Sequence, residues 1–328
     1  MTIVRSPLLE MVDLSVQIPT RRGTVQAVNG VTFSVRAGEA VGVVGESGSG
    51  KSMLALSIMQ LIPRPGRVVS GRISLSGRDL LQLTESAMRQ VRGSEVGMIF
   101  QDPSTSLNPV LRIGRQVAET IEAHHPEADS WQRSLDMLRS VRIPDPEQRL
   151  RDYPHQYSGG MRQRAMIAIG MANRPKLLIA DEPTTALDVT VQAQIMDLLR
   201  SMNADTGTAI LLISHNIALV SRFCSRVLVM YAGRIVEEGP TFEIFNRPKH
   251  PYTRALLTAL PRIDRKLPEG LTAIAGRPPD LAQLSAGCAF FDRCPDRMET
   301  CRTDQPPAFS VGPRRSARCW LAAKEDPS

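Results

Sequence analysis

One eight-residue segment constrains the fold of this chain more than any other feature. Residues 45–52 read Gly-Glu-Ser-Gly-Ser-Gly-Lys-Ser, which matches the pattern G-x-x-x-x-G-K-[ST] in full. The segment follows the apolar run Ala40–Val44, which predicts a buried strand, and precedes Met53–Leu61, which has helical spacing. A glycine-rich turn between a strand and a helix points backbone N–H groups at phosphate oxygens. The sequence therefore predicts a phosphate-binding loop.

Phosphate binding explains each residue type in this loop. Glycines allow a tight backbone turn, Lys51 can reach the β- and γ-phosphates of a nucleotide, and the Ser52 hydroxyl can bind Mg²⁺. A flexible Gly/Ser turn is the alternative, but the strand and helix on either side favour the phosphate loop. The predicted nucleotide contacts are Gly45, Glu46, Ser47, Gly48, Ser49, Gly50, Lys51, Ser52 and Met53.

A second apolar strand ends in two carboxylates. Leu177–Ala180 is followed by Asp181 and Glu182. Alone, this pattern is more often a capped strand end than a site. Together with the phosphate loop it predicts that Asp181 binds Mg²⁺, directly or through water, and that Glu182 acts as the general base on the attacking water.

Strand and helix patterns alternate through residues 1–240. Short apolar runs at Lys176–Ala180 and Ala209–Ile213 predict strands buried on both faces, and Val191–Met202 has helical spacing between them. A hairpin is predicted at Val227–Val236, with its turn at Ala232-Gly233. The alternation favours an α/β fold with a largely parallel sheet.

Two stretches depart from this alternation and set the expected domains. The segment from about 102 to 152 is charged, helix-rich and broken by prolines, so we interpret it as a helical subdomain inserted into the α/β sheet domain of residues 1–240. Beyond Gly239 prolines recur and periodicity fades. Residues 241–328 are therefore expected to form a small C-terminal extension that needs an additional stabilising element.

Composition limits the partners and the compartment. The chain has 328 residues, of which 42% are hydrophobic, and 40 basic residues against 33 acidic ones give a net charge of +7. This excludes a largely disordered or fibrous chain, and the surplus suits a phosphate-rich ligand, a nucleic acid or an anionic membrane surface. The apolar runs fall short of the roughly 20 residues that span a bilayer, and the N-terminus lacks signal-peptide character, so we expect a cytosolic location.

Four of the five cysteines fall in the last quarter of the chain. The spacing of Cys288, Cys294, Cys301 and Cys319 is C-x5-C-x6-C-x17-C, which is looser than usual structural zinc patterns. Four thiolates could also hold a [4Fe–4S] cluster, or the thiols could carry no metal. Cys224 is expected to be a small buried apolar residue.

A further segment resembles a known family. Tyr157–Gln163 reads Tyr-Ser-Gly-Gly-Met-Arg-Gln and is similar to the signature sequence LSGGQ of the ABC transporter ATPases. It lies just before the Asp181–Glu182 strand, where that family has it. Ser158 followed by two glycines predicts a capped helix start, which is also an anion site. The resemblance implies that Ser158, Gly159 and Gly160 complete the nucleotide site of a partner subunit.

Other positions match the same family. Gln101 resembles the Q-loop glutamine, which senses Mg²⁺ and nucleotide, and Ala186–Asp188 resembles the D-loop. His215, after an apolar run, resembles the switch histidine that contacts the γ-phosphate. The resemblance covers about residues 8–240 and implies a P-loop NTPase of the ABC ATPase type, with ATP and Mg²⁺ as ligands.

Several stretches resemble the ATPase subunits of dipeptide/oligopeptide and nickel importers, and they lie in the Q-loop region and the C-terminal extension. They are Gln101–Pro109, His250–Leu257, Ile274–Leu281, Gly287–Phe290 and Arg293–Pro295. The form of Ile274–Leu281 is closer to the D-type subunit than to its F-type partner. Members of this group are reported to carry a [4Fe–4S] cluster, so the resemblance favours that cluster over zinc, with a structural role.

The resemblance also implies an assembly and a location. The chain would form a heterodimer with an F-type ATPase subunit, on two transmembrane permeases that receive solute from an extracytoplasmic binding protein. It would lie peripherally on the cytoplasmic face of the plasma (inner) membrane, energise uptake of di- or oligopeptides and bind no nucleic acid. The alternatives are import of nickel or another small solute and, in a different class, a soluble ABC-type ATPase acting on nucleic acid.

One departure from the family concerns the base of the nucleotide. The family usually stacks adenine on an aromatic side chain of an early strand, but the only aromatic residue before Gly45 is Phe33. Alternation assigns Phe33 to the buried face of its strand. Base recognition is therefore expected to rest on Val25 or on an arginine.

Overall fold

The computed structural model describes residues 6–259 and 274–324. These residues form two compact units. Unit 1 contains residues 6–9, 35–40 and 75–212, and unit 2 contains residues 10–34, 41–74, 213–259 and 274–324. The predicted C-terminal extension includes residues 260–273 and 325–328, which lie outside the described residues.

Strands and helices alternate through most of the described chain. The strands are β1 (Leu9–Thr20), β2 (Gly23–Val35), β3 (Ala40–Val44), β4 (Arg67–Leu75), β5 (Arg78–Asp79), β6 (Val96–Ile99), β7 (Leu177–Asp181), β8 (Ala209–Ser214), β9 (Arg226–Tyr231), β10 (Arg234–Pro240), β11 (Phe309–Gly312) and β12 (Arg315–Ala317). The α-helices are α1 (Lys51–Ile58), α2 (Glu85–Val91), α3 (Pro103–Ser106), α4 (Ile113–Glu122), α5 (Ser130–Ser140), α6 (Pro146–Arg149), α7 (Gly159–Met171), α8 (Val189–Thr206), α9 (Ile217–Phe223), α10 (Thr241–Asn246), α11 (Pro251–Thr258) and α12 (Thr300–Thr303).

Unit 2 contains parallel and antiparallel pairs. β3 pairs with β9 in parallel, with Val41 opposite Arg226, and β10 returns antiparallel to β9 after the predicted turn at Ala232-Gly233. β12 continues this sheet beside β10, and β11 follows it. In the same unit, β1 lies between β2 and β4. The hairpin prediction is confirmed.

A buried ion pair holds β12 of the C-terminal extension on β10. Arg315 Nη2 lies 3.0 Å from Glu237 Oε1, with these side chains 4% and 0% exposed. Glu237 also accepts backbone N–H groups from Lys249 and His250 at 2.8 and 2.9 Å. These hydrogen bonds offset the free-energy cost of removing the two charges from water. The sequence pattern did not predict this ion pair.

Unit 1 combines parallel strands with packed helices. β6 pairs with β7 in parallel, and β8 lies on the other side of β7. Helices α4, α5 and α7 pack on one another. The packed face of α4 carries Ile113, Val117 and Ile121, which recur every four residues and are fully buried. The stretch that was predicted to be helix-rich therefore contains α3 to α6.

The predicted α/β fold is confirmed, with shifts in its elements. The helix after the glycine-rich loop begins at Lys51 and ends at Ile58, earlier than the predicted Met53–Leu61, because Gly50 occupies the N-cap. Strand β2 spans Gly23–Val35 and contains Phe33, whose place in a strand the alternation predicted. In the parts of the chain that the structure covers, no helix is long and apolar enough to cross a membrane.

Candidate nucleotide-binding site

The predicted phosphate loop connects β3 to α1. Gly50 is the N-cap of α1 with φ of 103°, a region that side chains rarely adopt. A Cβ atom at Gly45 would lie 2.1 Å from the carbonyl oxygen of Met230, and one at Gly50 would lie 2.2 Å from that of Ala27. The loop therefore needs glycine at both positions. Ser52 and Met53 lie in the first turn of α1 and are half-buried.

Lys51 supplies a buried positive charge to this loop. Its Nζ donates to the carbonyl oxygens of Gly45 and Glu46, each at 2.9 Å, and lies 3.4 Å from Ser49 Oγ. The side chain is 5% exposed. The ammonium is thus held at the loop, where the first N–H groups of α1 add positive potential. This arrangement suits a phosphate group.

Residues far along the chain support the loop. The Tyr252 hydroxyl accepts the Glu46 N–H at 2.8 Å, and Gly233 donates its N–H to the Ser49 carbonyl at 2.9 Å. Arg293 donates to both carboxylate oxygens of Glu46, at 2.7 and 2.9 Å. The side chains of Arg293 and Glu46 are 4% and 24% exposed, so this pair is partly shielded from water. Sequence reasoning noted Tyr252 and Arg293 only as family markers and missed their contact with the loop.

The pKa values of these supporting groups reflect their surroundings. Two hydrogen bonds to Glu46 raise the pKa of Arg293 further above its usual range, so it remains a cation. Burial raises the pKa of Tyr252, so its hydroxyl stays protonated. Burial also lowers the pKa of His250 to about 3, and this neutral imidazole accepts the Tyr252 N–H through Nδ1 at 3.0 Å.

The two predicted carboxylates lie at the end of β7 in unit 1. Asp181 is the last residue of the strand and is 4% exposed. Glu182 follows with φ of 50°, an uncommon value for a residue with a side chain. Its Oε2 accepts hydrogen bonds from Gln101 Nε2 at 3.2 Å and from the Thr185 hydroxyl at 2.9 Å. The structure therefore brings Gln101 and Glu182 together.

The signature segment opens α7. Ser158 is the N-cap, and its hydroxyl accepts the N–H of Met161 at 3.3 Å. Ser158 and Gly159 are exposed, and the nearest neighbour of a Cβ at Gly159 would be Leu187 at 3.6 Å. The helix start and its N–H groups are thus open to a ligand. Asp188, after Leu187 in the D-loop, caps α8 through the Val191 N–H at 2.9 Å.

Three further predicted residues, His215, Phe33 and Cys224, have clear positions. His215 directly follows β8 and is exposed. Phe33 is 5% exposed, as the alternation predicted, and Cys224 is also 5% exposed. This burial confirms the prediction that Cys224 is a small buried residue, and it raises the pKa of the thiol.

The four C-terminal cysteines line one cavity. Cys288, Cys294, Cys301 and Cys319 face it together with His250. Burial and the neighbouring thiols raise the pKa of Cys288 to about 11. Among the residues that the structure describes, no group of three or more His, Cys, Asp or Glu side chains is placed to hold a metal ion. The donor chemistry fits a metal, but the predicted cluster has no support in these positions.

The arginines near the cysteines in sequence contact other groups. Arg293, which directly precedes Cys294, pairs with Glu46. Arg297 and Arg302 lie 5.8 and 5.7 Å from the ring centre of Phe291. The cation that lowers the pKa of Cys319 is Arg254, against a larger upward effect of burial.

A strand–loop–helix with a buried lysine, together with a strand that ends in two carboxylates, defines a P-loop protein that binds nucleoside triphosphates. Comparisons with known proteins agree. The family described as "ABC transporter" matches residues 28–185, and the family described as "Oligopeptide/dipeptide transporter, C-terminal region" matches residues 236–301.

Relatives match nearly the whole chain. A probable peptide ABC transporter ATP-binding protein of Sinorhizobium fredii is 48% identical over 95% of this chain and 94% of its own length. The oligopeptide transport ATP-binding protein OppD of Salmonella typhimurium is 48% identical over 97% of this chain and 95% of its own. A solved ATP-binding cassette, in a dimeric post-hydrolysis state with ADP and phosphate, is 25% identical with a TM-score of 0.65, covering 71% of this chain and 98% of that one.

The chain therefore belongs to the ATP-binding proteins of the ABC transporter family. It is an ABC-type ATPase whose C-terminal region is of the oligopeptide/dipeptide transporter type.

Proposed function

We propose that this chain hydrolyses ATP to energise import of di- or oligopeptides. The observation that carries the proposal is the phosphate loop with its buried Lys51, in a chain whose relatives over nearly full length are named for peptide transport. The loop supplies amide donors and a cation for the triphosphate. The C-terminal family match supports peptides as the transported class.

The roles proposed for individual residues follow their chemistry. The backbone of residues 45–52 wraps the phosphates, and Lys51 binds the β- and γ-phosphates. Ser52, Gln101 and Asp181 offer oxygen ligands for Mg²⁺, which when bound neutralises charge on the phosphates. Glu182 takes the proton of the attacking water, with its carboxylate oriented by Gln101 and Thr185.

Two further groups act at the γ-phosphate. His215 donates a hydrogen bond to the oxygen where charge develops. Ser158, Gly159 and Gly160 present the open N-terminus of α7 to the nucleotide of a partner subunit, which the exposure of Ser158 and Gly159 supports. Hydrolysis then requires two ATPase subunits, and we propose a heterodimer with an F-type subunit.

The proposed assembly extends to the membrane. Two permease subunits form the pathway, an extracytoplasmic binding protein delivers the solute, and this chain lies on the cytoplasmic face of the inner membrane. Within the chain we propose an ATPase domain at residues 1–240, with the inserted helices at about 102–152, and an extension at residues 241–328. The C-terminal family match at 236–301 supports this boundary.

We also propose that the four C-terminal cysteines hold a [4Fe–4S] cluster with a structural role. The proposal rests on the donor chemistry of four thiols that line one cavity. Chemical analysis of anaerobically purified protein should give about four irons and four labile sulfides per chain. Cys294→Ser should lose them, and Cys224→Ser should not. Stoichiometric zinc, or a wild-type protein without iron, would refute the cluster.

Transport by the reconstituted complex tests the proposed function. Proteoliposomes with both ATPase subunits, the permeases and the binding protein should take up a labelled tripeptide only with ATP. Lys51→Ala should abolish uptake, because the phosphates lose their buried cation. Lys176→Ala, which removes a half-exposed lysine paired with Glu95, is the matched control and should retain uptake. Uptake of nickel without peptide uptake would assign the other solute.

A further inference from the structure

A pocket of about 320 Å³ lies beside the phosphate loop, entirely within unit 2. This volume is at the lower end of the range for small-molecule sites, which begins at roughly 300 Å³. One wall is the loop itself, and the others come from β2, from the end of β9 and from the C-terminal extension. The lining residues are Val25, residues 46–49, Tyr231, Ala232 and residues 278–281.

Specific contacts tie these walls together. The Gln26 N–H of β2 donates to the carbonyl oxygen of Leu281 at 3.0 Å. Arg293 donates through Nε to the Ala275 carbonyl at 3.0 Å while its two Nη groups bind Glu46 of the loop. The extension is therefore fixed both to the strand and to the phosphate loop. The pocket is a built feature of unit 2.

The chemistry of the pocket suits a flat ring. Val25, Pro279 and Leu281 are half-buried and present aliphatic surface. Aliphatic groups pack on both faces of a purine through dispersion and removal of surface from water. A ligand anchored by its phosphates at residues 46–49 has its nucleoside within reach of this surface. The early strands offer no aromatic ring, because Phe33 is 5% exposed and points into the core.

We infer that this pocket is the base subsite of the nucleotide site, with the C-terminal extension supplying the wall that an aromatic side chain provides elsewhere in the family. The purine packs between Val25 and the side chains of Pro279 and Leu281. This inference rests on the proposed function, since it assumes a nucleoside triphosphate on the loop. It assigns the extension a direct part in nucleotide binding.

Paired affinities for ATP and inorganic triphosphate test the subsite. Calorimetry on the full chain with Mg²⁺ should show that the wild type binds ATP more tightly than inorganic triphosphate. Val25→Asn and Leu281→Asn should each weaken ATP binding by about tenfold, because an apolar contact with the base is lost. Both should leave triphosphate affinity unchanged, which also shows that the loop is folded. Val25→Ile should behave as the wild type.

The matched control is Val69→Asn, at a valine of β4 that is 41% exposed and outside the pocket. It should change neither affinity. Unchanged ATP affinity in the Val25 and Leu281 variants, or an equal loss for both ligands, would overturn the subsite. A wild type that binds neither ligand would instead refute the proposed function, so the two failures are distinguishable.

Discussion

The phosphate loop and the signature segment both contain glycines and open a helix, and they differ in their surroundings. In the phosphate loop, Gly45 and Gly50 lie against backbone carbonyls and Lys51 is buried. In the signature segment, Ser158 and Gly159 are exposed, and Gly159 has room for a side chain atom. The first segment is enclosed by the rest of its own unit. The second is open, as expected for a surface that acts on another subunit.

This difference separates two kinds of functional glycine. Glycine in the phosphate loop is required for folding and for ligand binding together, because backbone approaches so closely. At Gly159 of the signature segment, glycine is required only so that a ligand or partner can approach the helix start. Substitutions should therefore damage stability at Gly45 and Gly50 of the loop, and activity alone at Gly159.

The largest expected contrast comes from the same change in both segments. Gly50→Ala should lower the free energy of unfolding by about 3 kcal/mol or more, since its Cβ would meet the Ala27 carbonyl oxygen at 2.2 Å in a strained conformation. Gly159→Ala should change it by less than about 0.5 kcal/mol. Urea denaturation measures both. In the assembled complex, Gly159→Ala should still lower ATP hydrolysis by about a hundredfold. Equal free energies of unfolding for the Gly50→Ala and Gly159→Ala variants would contradict the difference between the two segments.

The second-largest expected effect concerns the ion pair of Arg293 with Glu46, which joins the C-terminal extension to the phosphate loop. Arg293→Gln should weaken ATP binding by about tenfold, which corresponds to about 1.4 kcal/mol, because Glu46 loses a bidentate partner and the loop loosens. Calorimetric titration with ATP measures this effect. Arg302→Gln is the control, because its side chain is 66% exposed and its pairing with Glu299 is long at 3.6 Å. Equal affinities in the two variants would contradict a supporting role for Arg293.

The pH dependence of stability tests the role of His250, which accepts the Tyr252 N–H. The pKa of His250 is about 3 in the folded chain against 6.5 for a free imidazole, so only the unfolded chain gains this proton as the pH falls below 6.5. The contribution of His250 to the free energy of unfolding is therefore at its maximum above pH 6.5. It declines by about 1.4 kcal/mol per pH unit between roughly pH 6 and pH 3. His250→Asn keeps an acceptor for the Tyr252 N–H but removes this titration. Denaturation curves from pH 7.5 to 4.5 should therefore converge for the two proteins.

Parallel curves over that range would show that His250 titrates alike in the folded and unfolded chains. The comparison of wild type with variant is needed because paired carboxylates also lower stability in acid.

The smallest expected effect concerns the helix cap of the signature segment. Ser158→Ala should cost only about 0.5 kcal/mol of unfolding free energy, because its cap bond is long at 3.3 Å. Thr84→Ala removes a cap bond of the same length at α2 and is the matched control. Thermal denaturation should show similar losses for both, whereas only Ser158→Ala should lower hydrolysis by the complex. Loss of activity in both would indicate a general effect of destabilisation.

The sequence predicted those parts of the site whose chemistry is local. The loop at residues 45–52, the carboxylates after β7 and the cap of α7 each depend on a short run of residues, so spacing alone indicates them. The contacts of Tyr252 and Arg293 with Glu46 could not be predicted, because they join residues 206 and 247 positions apart. No periodic pattern encodes such a pairing.

The extension shows the same limit in its fold. β11 and β12 are short, and their position depends on the buried pair of Arg315 with Glu237. A buried charge pair leaves no hydrophobic alternation in the sequence. The fading periodicity therefore gave no indication of β11 and β12. The sequence indicated Val25 as a candidate for base recognition, but it could not place residues 278–281 beside Val25, because they lie far along the chain.

The most direct test of the central claim is ATP turnover by the complex with Glu182→Gln. Glutamine keeps the shape and the hydrogen bonds from Gln101 and Thr185 but cannot take a proton. The account expects ATP affinity near that of the wild type and a kcat lower by about a thousandfold, with Glu85→Gln as an exposed control. Turnover close to the wild-type rate in the assembled complex would contradict it.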